Sequence, residues 1–194
     1  MSSKRFRVAI FASGSGTNAE KIFEHFRSHP DIEVVLLMSN NPAAFALQRA
    51  KNYDIDHAVF TRDEFRAGEK IQALLSGHGV THIVLAGFLW LIPEYLLQSF
   101  PQRIINIHPA LLPKYGGKGM YGSKVHEAVK SSGDLETGIT IHLVNNQYDE
   151  GEILFQARCP IGKSHTTDEI AECVHQLEYE HYPRVIEKWI LKNS

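Results

Sequence analysis

The sequence predicts an α/β fold: a mostly parallel sheet with helices on both faces and an antiparallel pair of strands near the C-terminal half. Three observations carry this reading. Short continuous apolar runs alternate with stretches of helical spacing through the first half of the chain, and strands buried on both faces of a parallel sheet read as such runs. The first run breaks into a Gly-Ser turn that opens a helix, as in a Rossmann-like strand–turn–helix unit. Two late apolar runs are joined by NNQYDEG, too short for a helical crossover, so they read as antiparallel neighbours.

The elements follow in order. RVAIFA (residues 7–12) is the first strand, cut off by Ser13-Gly14-Ser15-Gly16. Residues 18–29 have helical spacing, with Ile22, Phe23 and Phe26 on one face, and Pro30 stops them. IEVVLLMS (32–39) is a strand ended by Asn40-Asn41-Pro42. Residues 44–51 form a helix, 57–60 a short strand, and 63–76 one helix closed by Gly77 and Gly79. THIVLAGF (81–88) and RIINIH (103–108) are strands flanking a short helix at 93–99. Then come a helix at 123–132, strands GITIHLV (138–144) and EILFQARCP (152–160), and a long helix at 167–193, bent near Pro183. No repeat, low-complexity tract or linker interrupts the chain, so residues 1–194 read as one domain, with glycine-rich KYGGKGMYGS (114–123) as a loop inside it.

Composition narrows the function classes. Hydrophobic residues make up 43% and charged residues 22%, enough for a sizeable core. The net charge of −2 predicts no broad basic face for nucleic acid or an anionic membrane, though a few placed groups suffice for a small anion. Cys159 and Cys173 are not a C-x-x-C, and their spacing suggests neither a disulfide framework nor zinc, which points to a reducing compartment. The N-terminal apolar run is at the low edge for a signal-peptide core, and no segment approaches the roughly 20 apolar residues of a membrane span. A cytoplasmic protein is expected. His142, His165, His175 and His181 lack metal-ligand spacing, so no metal is expected. No serine stands in a G-x-S-x-G elbow, and neither cysteine has a nucleophile's setting.

Three polar clusters fall at strand ends, where parallel sheets bind ligands: residues 13–18, 89–90 and 106–108. The first suits phosphate, through backbone N–H groups at a helix start. Gly14-x-Gly16-x-x-Ala19 also fits a dinucleotide fingerprint, but that reading wants an acid after the second strand, where Ser39-Asn40-Asn41 stands. A single phosphate is favoured over a dinucleotide, with a plain strand–helix turn as the bland alternative. Asn106 and His108 share a strand face, and Pro109 holds His108 extended. Asp149 lies in the turn between the two late strands. An amide, an imidazole and a carboxylate suit acyl transfer to an amine: the amide donates to a developing oxyanion, the imidazole moves protons, and the carboxylate raises the imidazole pKa. Spacing alone leaves a structural histidine and an ordinary turn aspartate open.

Asn106-Ile107-His108-Pro109-Ala110-Leu111-Leu112-Pro113 closely resembles the N-x-H-P-S-L-L-P signature of the folate-dependent formyltransferases. His142-Leu143-Val144 with Asp149-x-Gly151-x-Ile153-Leu154-x-Gln156, and Leu85-Ala86-Gly87-Phe88, resemble two further blocks of that family. Ser13-Gly14-Ser15-Gly16-Thr17-Asn18 is similar to the S-G-x-G-[ST]-N of its purine-synthesis branch. The resemblance spans nearly the whole chain and implies one formyltransferase domain. It implies 10-formyltetrahydrofolate as co-substrate, glycinamide ribonucleotide as acceptor, no nucleic acid or membrane partner, and a monomer or weak homodimer. It implies catalysis by Asn106, His108 and Asp149. Gly16, Thr17 and Asn18 would hold the phosphate and Glu178 the glycinamide, while Leu89, Trp90, Leu91, Ile92, Asn106 and Val144 would line the folate site. A family arginine at that site corresponds to Arg62 or Arg66. Ala110 replaces the usual serine, Trp90 stands where a basic residue is common, and the loop at 116–122 is long. Enzymes that formylate methionyl-tRNA add a C-terminal domain, and formyltetrahydrofolate hydrolases an N-terminal one; the chain's ends at 7 and 194 argue for neither. A non-catalytic nucleotide-binding module would need the phosphate turn but not the three polar residues around one cleft.

Overall fold

In the computed structural model, which describes residues 6–192, the chain runs β1 (Phe6–Phe11), α1 (Thr17–Phe26), β2 (Ile32–Ser39), α2 (Phe45–Asn52), β3 (Asp56–Val59), α3 (Arg62–Ala67), α4 (Glu69–Gly77), β4 (His82–Leu85), α5 (Glu94–Ser99), β5 (Ile104–His108), α6 (Ser123–Ser132), β6 (Glu136–Leu143), β7 (Ile153–Pro160) and α7 (Thr167–Lys192). The strands form one sheet in the order β3-β2-β1-β4-β5-β6-β7. The first five are parallel, and β6 and β7 run antiparallel to their neighbours. The α/β class, the mostly parallel sheet and the late antiparallel strands are therefore as the sequence predicts.

Period-two alternation along β1 builds both cores. Val8 and Ile10 face the layer that holds Ile22, Phe23 and Phe26 of α1 and Tyr182, Ile186 and Trp189 of α7. Ala9 and Phe11 face the opposite layer, with Phe60, Phe65, Ile71 and Phe88. Each fully buried side chain of this size contributes about 1.5–3 kcal/mol. Tyr182 anchors α7 beneath the sheet: its hydroxyl donates to the Leu85 carbonyl at 2.8 Å. That contact sets the height of the whole helix against β4, including Glu178 one turn earlier.

Three expectations are corrected. The single helix expected at 63–76 is two, α3 and α4, because Gly68 adopts a left-handed conformation (φ 87°) that ends one and starts the next. The strand expected at 81–88 stops at Leu85, and the following residues turn away to line a cavity. Cys159 and Cys173, expected unpaired, form a disulfide with Cα atoms 6.6 Å apart. A sequence separation of 14 does not reveal that the end of β7 lies against α7. The C-terminal helix runs unbroken through Pro183 to Lys192; the predicted extension to Asn193 lies outside the described residues, as do residues 1–5 of the N-terminal segment.

Candidate functional site

Strand order reverses between β1 and β4. The loops leaving those two strands diverge there and open a crevice beyond their carboxyl ends. The crevice is a cavity of about 590 Å³. Gly16, Thr17, Asn18, Leu89, Trp90, Leu91, Ile92, Asn106, His108, Val144, Asp149 and Glu178 all line it. The structure thus brings these twelve residues to one place, though not the candidate arginines Arg62 and Arg66. It adds His126, His142, His175 and the loop at 117–122.

The wall at β1 is backbone. Gly16 takes φ 73°, and a Cβ there would stand 2.6 Å from Ala46 Cα, so glycine lets α2 pack against the start of α1. The first-turn N–H groups of α1 have no partners within the helix, and Gly16, Thr17 and Asn18 line the cavity. Asn41 holds the place where a dinucleotide site would carry an acid. Its amide donates to the Ser13 carbonyl at 3.2 Å and braces the turn. Arg49 donates to the Ser15 carbonyl at 2.9 Å and pairs with Glu20. Ser13 ties this turn to the loop after β4: its N–H donates to the Gly87 carbonyl, and its hydroxyl accepts from Leu89 N–H, each at 3.2 Å.

The loop after β4 forms an apolar rim. Leu89 and Leu91 are 43% and 40% exposed at the cavity mouth. Exposed apolar side chains at the mouth of a concave surface are of the kind that line ligand pockets. The Tyr148 hydroxyl accepts from Leu91 N–H at 3.1 Å and spans the rim. The Arg62 guanidinium sits 5.3 Å from the Trp90 ring centroid. Neither Arg62 nor Arg66 is among the cavity-lining residues.

The wall at β5 and β6 is a chain of polar side chains. The antiparallel register sets Asn106 opposite His142. His142 Nδ1 lies 2.8 Å from the Leu143 carbonyl, which only accepts, so Nδ1 carries the proton and Nε2 is an acceptor. Asn106, which lines the cavity, donates through Nδ2 to that Nε2 at 3.1 Å. His108 Nε2 donates to the Tyr115 carbonyl at 2.8 Å, and its Nδ1 lies 3.5 Å from Asp149 Oδ2. Asp149 Oδ2 also accepts from Gly117 N–H at 3.0 Å, and Oδ1 lies 3.6 Å from His142 Nε2, a close approach rather than a hydrogen bond. Asp149 sits at φ 59°, a left-handed turn position that aspartate tolerates better than most residues. Behind this wall Thr140 accepts from Leu112 N–H and donates to the Ala110 carbonyl, fixing the segment after His108. Ala110 is fully buried there, a site its methyl fills without a polar partner.

Burial dominates the His108 titration and lowers its pKa, outweighing the upward pull of Asp149 and the Tyr115 carbonyl. The carboxylate pulls this pKa upward as expected, but burial outweighs it because the imidazole is almost wholly desolvated. For Asp149, burial pushes the carboxyl up. The His142 contact, the nearby His108 imidazole and the Gly117 N–H together outweigh it and hold the carboxyl below its ordinary range. Glu178 is pushed up to about 7 by burial, against the pull of the Asn18 amide, which donates to it at 2.9 Å.

Sequence reasoning set His142 aside as a metal ligand and met it otherwise only as part of a family block, with no role of its own. The signal that finds it is its position across from Asn106, which needs the strand register. Among the described residues no three His, Cys, Asp or Glu side chains form a group that could hold a metal ion, and no helix is long and apolar enough to cross a membrane.

The sequence pattern of the formyl transferase family matches residues 6–186. The chain belongs to that family. It is 40% identical over 189 residues to a phosphoribosylglycinamide formyltransferase, chloroplastic, of Arabidopsis thaliana, covering 94% of this chain. It spans only 65% of that plant protein's length. It is 33% identical to the phosphoribosylglycinamide formyltransferase of Bacillus subtilis, covering 97% of this chain and 96% of that one. The crystal structure of phosphoribosylglycinamide formyltransferase from Bacillus halodurans superposes with a TM-score of 0.87 at 32% identity, covering 97% of both chains.

Proposed function

We propose that this chain transfers the formyl group of 10-formyltetrahydrofolate to the amine of glycinamide ribonucleotide, a step of purine synthesis. The observation that carries the reading is the convergence of Asn106, His108 and Asp149 on one wall of a cavity whose facing wall is the glycine turn at 16–18. In this reading Gly16, Thr17 and Asn18 hold the phosphate and Glu178 the glycinamide. Leu89 to Ile92 and Val144 pack against the folate, whose flat ring system suits an apolar rim with backbone polar groups.

The residues then divide the chemistry. Asn106 gives one N–H to His142 and the other to the formyl oxygen, which gains negative charge as the amine adds to the formyl carbon. A new C–N bond forms to the glycinamide nitrogen, and the bond to N10 of the folate breaks. The amine loses one proton, and N10 gains one. Asp149, ionised and 3.5 Å from His108, receives that proton directly or through water and returns it to N10. His108 is neutral at rest because of its burial and becomes cationic only while it shares this proton, when the adjacent carboxylate stabilises it. The whole reaction is assigned to one domain over 1–194, placed in the cytoplasm, acting as a monomer or weak homodimer.

The test is a formyl-transfer assay with and without the ribonucleotide. Donor consumption that depends on the ribonucleotide, with equimolar formylated product, is the expected result. Consumption that proceeds equally without it would identify a hydrolase and end this reading.

A further inference from the structure

A cavity meant for a phosphorylated substrate has to supply positive charge, and this one supplies little. Asp149 and Glu178 both line it. Burial lowers the pKa of His108, and of His126 to about 4, so both imidazoles are neutral near pH 7. A phosphate monoester carries about −1.5 to −2 charges there, and the start of α1 offers only about half a positive charge. Arg49, beside the turn, is engaged with the Ser15 carbonyl and Glu20. Among the described residues lining the cavity, Lys118 is the one lysine or arginine. It is exposed and, among the described residues, forms no ion pair, whereas Lys21, Lys70 and Lys114 each hold a carboxylate.

Lys118 does not sit on an unattached segment. Its neighbour Gly117 donates to Asp149 at 3.0 Å, which ties the loop to the polar wall one residue earlier. Further along, the Tyr121 ring receives Lys124 from the start of α6 at 4.9 Å. Between these two attachments Lys118 lies between Gly117 and Gly119, and its long side chain is the loop's only charged group.

We propose that Lys118 is a specificity-determining residue that neutralises the substrate phosphate, completing from the loop at 116–122 the anion site begun by the glycine turn at 16–18. The identity of the ligand rests on the formyl-transfer reading. Negative charge could also come from the carboxylates of a folate tail, and the experiment separates these sources.

The experiment compares wild type, Lys118→Ala and Lys118→Arg. In the transfer assay, Lys118→Ala is expected to raise KM for the ribonucleotide about ten- to a hundredfold, the effect of losing one charged hydrogen bond. The donor KM is expected to stay within about twofold and kcat to fall far less than the ribonucleotide KM rises. Arginine is expected to restore most of the loss. Calorimetric titration with ribose 5-phosphate is expected to show the same weakening without any turnover. An unchanged ribonucleotide KM, or a rise confined to the donor KM, overturns the proposal. If wild type transfers no formyl group to the ribonucleotide, the formyl-transfer reading fails by itself and the titration still decides: equal ribose 5-phosphate binding by wild type and Lys118→Ala overturns the phosphate role, and weaker binding rescued by arginine upholds it.

Discussion

The parallel and antiparallel parts of the sheet build the cavity by different means. Beyond β1 and β4 the wall is main chain, shaped by glycines and by tight approach of α2 to α1. Beyond β5 and β6 it is side chain: Leu143 carbonyl to His142 to Asn106, and Tyr115 carbonyl to His108 to Asp149. A main-chain wall is indifferent to most side chains but intolerant of a misplaced Cβ. A side-chain wall is the reverse: its members can be replaced without loss of the fold, but each holds the next in its productive tautomer or rotamer. Substitutions on the two sides should therefore fail differently, the first through stability and binding, the second through turnover.

The sharpest break is Asp149→Asn. It keeps shape and the Gly117 contact but removes the charge, so kcat is expected to fall by at least about 10³-fold, the scale of losing a charge-stabilising group in the transition state. Calorimetric binding of the ribonucleotide is expected to change little; a variant with near-normal kcat would remove Asp149 from the mechanism. On the main-chain side, Gly16→Ala brings a Cβ within 2.6 Å of Ala46 at φ 73°. It is expected to destabilise the fold by about 2–4 kcal/mol in urea denaturation, combining left-handed strain with overpacking, and to raise the ribonucleotide KM. Unchanged stability would mean the turn has room to relax.

Glu178 links the two sides through Asn18. Its folded pKa of about 7 lies above the ordinary value of 4.5. Its stabilising protonated form is therefore fully present below about 4.5, and that contribution is lost as pH rises through about 7. Glu178→Gln keeps a neutral partner for Asn18. Its melting temperature is expected to exceed wild type above pH 7, by an amount equivalent to about 1–3 kcal/mol, with the gap closing toward pH 4.5. A gap independent of pH would deny the titration of Glu178. The smallest effect expected is from His142→Ala, which frees the Asn106 amide to rotate: about ten- to a hundredfold in kcat with ribonucleotide KM little changed. A loss in KM alone would show that His142 shapes the pocket rather than the Asn106 amide.

Much of this was legible before folding was considered. Apolar runs at 32–39 and 103–108 could only be strands buried on both faces, and a Gly-Ser turn at the end of the first run could only open a ligand site or a tight turn. The family blocks around Asn106 and Asp149 named the polar residues. His142 stood in one of those blocks, but its contact with Asn106 was not legible, because sequence spacing reports neighbours along the chain, not across strands. The helix break at Gly68 was missed because hydrophobic periodicity continues across it and only the backbone dihedral reverses.

By itself, then, the sequence determined the fold class, the strand ends that carry the site and the residue types gathered there, because local burial patterns and turn chemistry are properties of short segments. The tertiary structure alone decided that burial lowers the His108 pKa, that Asn106 donates to His142, that Cys159 meets Cys173, and that Lys118 shares a cavity with Asp149 and Glu178. Each of these depends on what desolvates or faces a group from a distant part of the chain, and desolvation and charge pairing act through space.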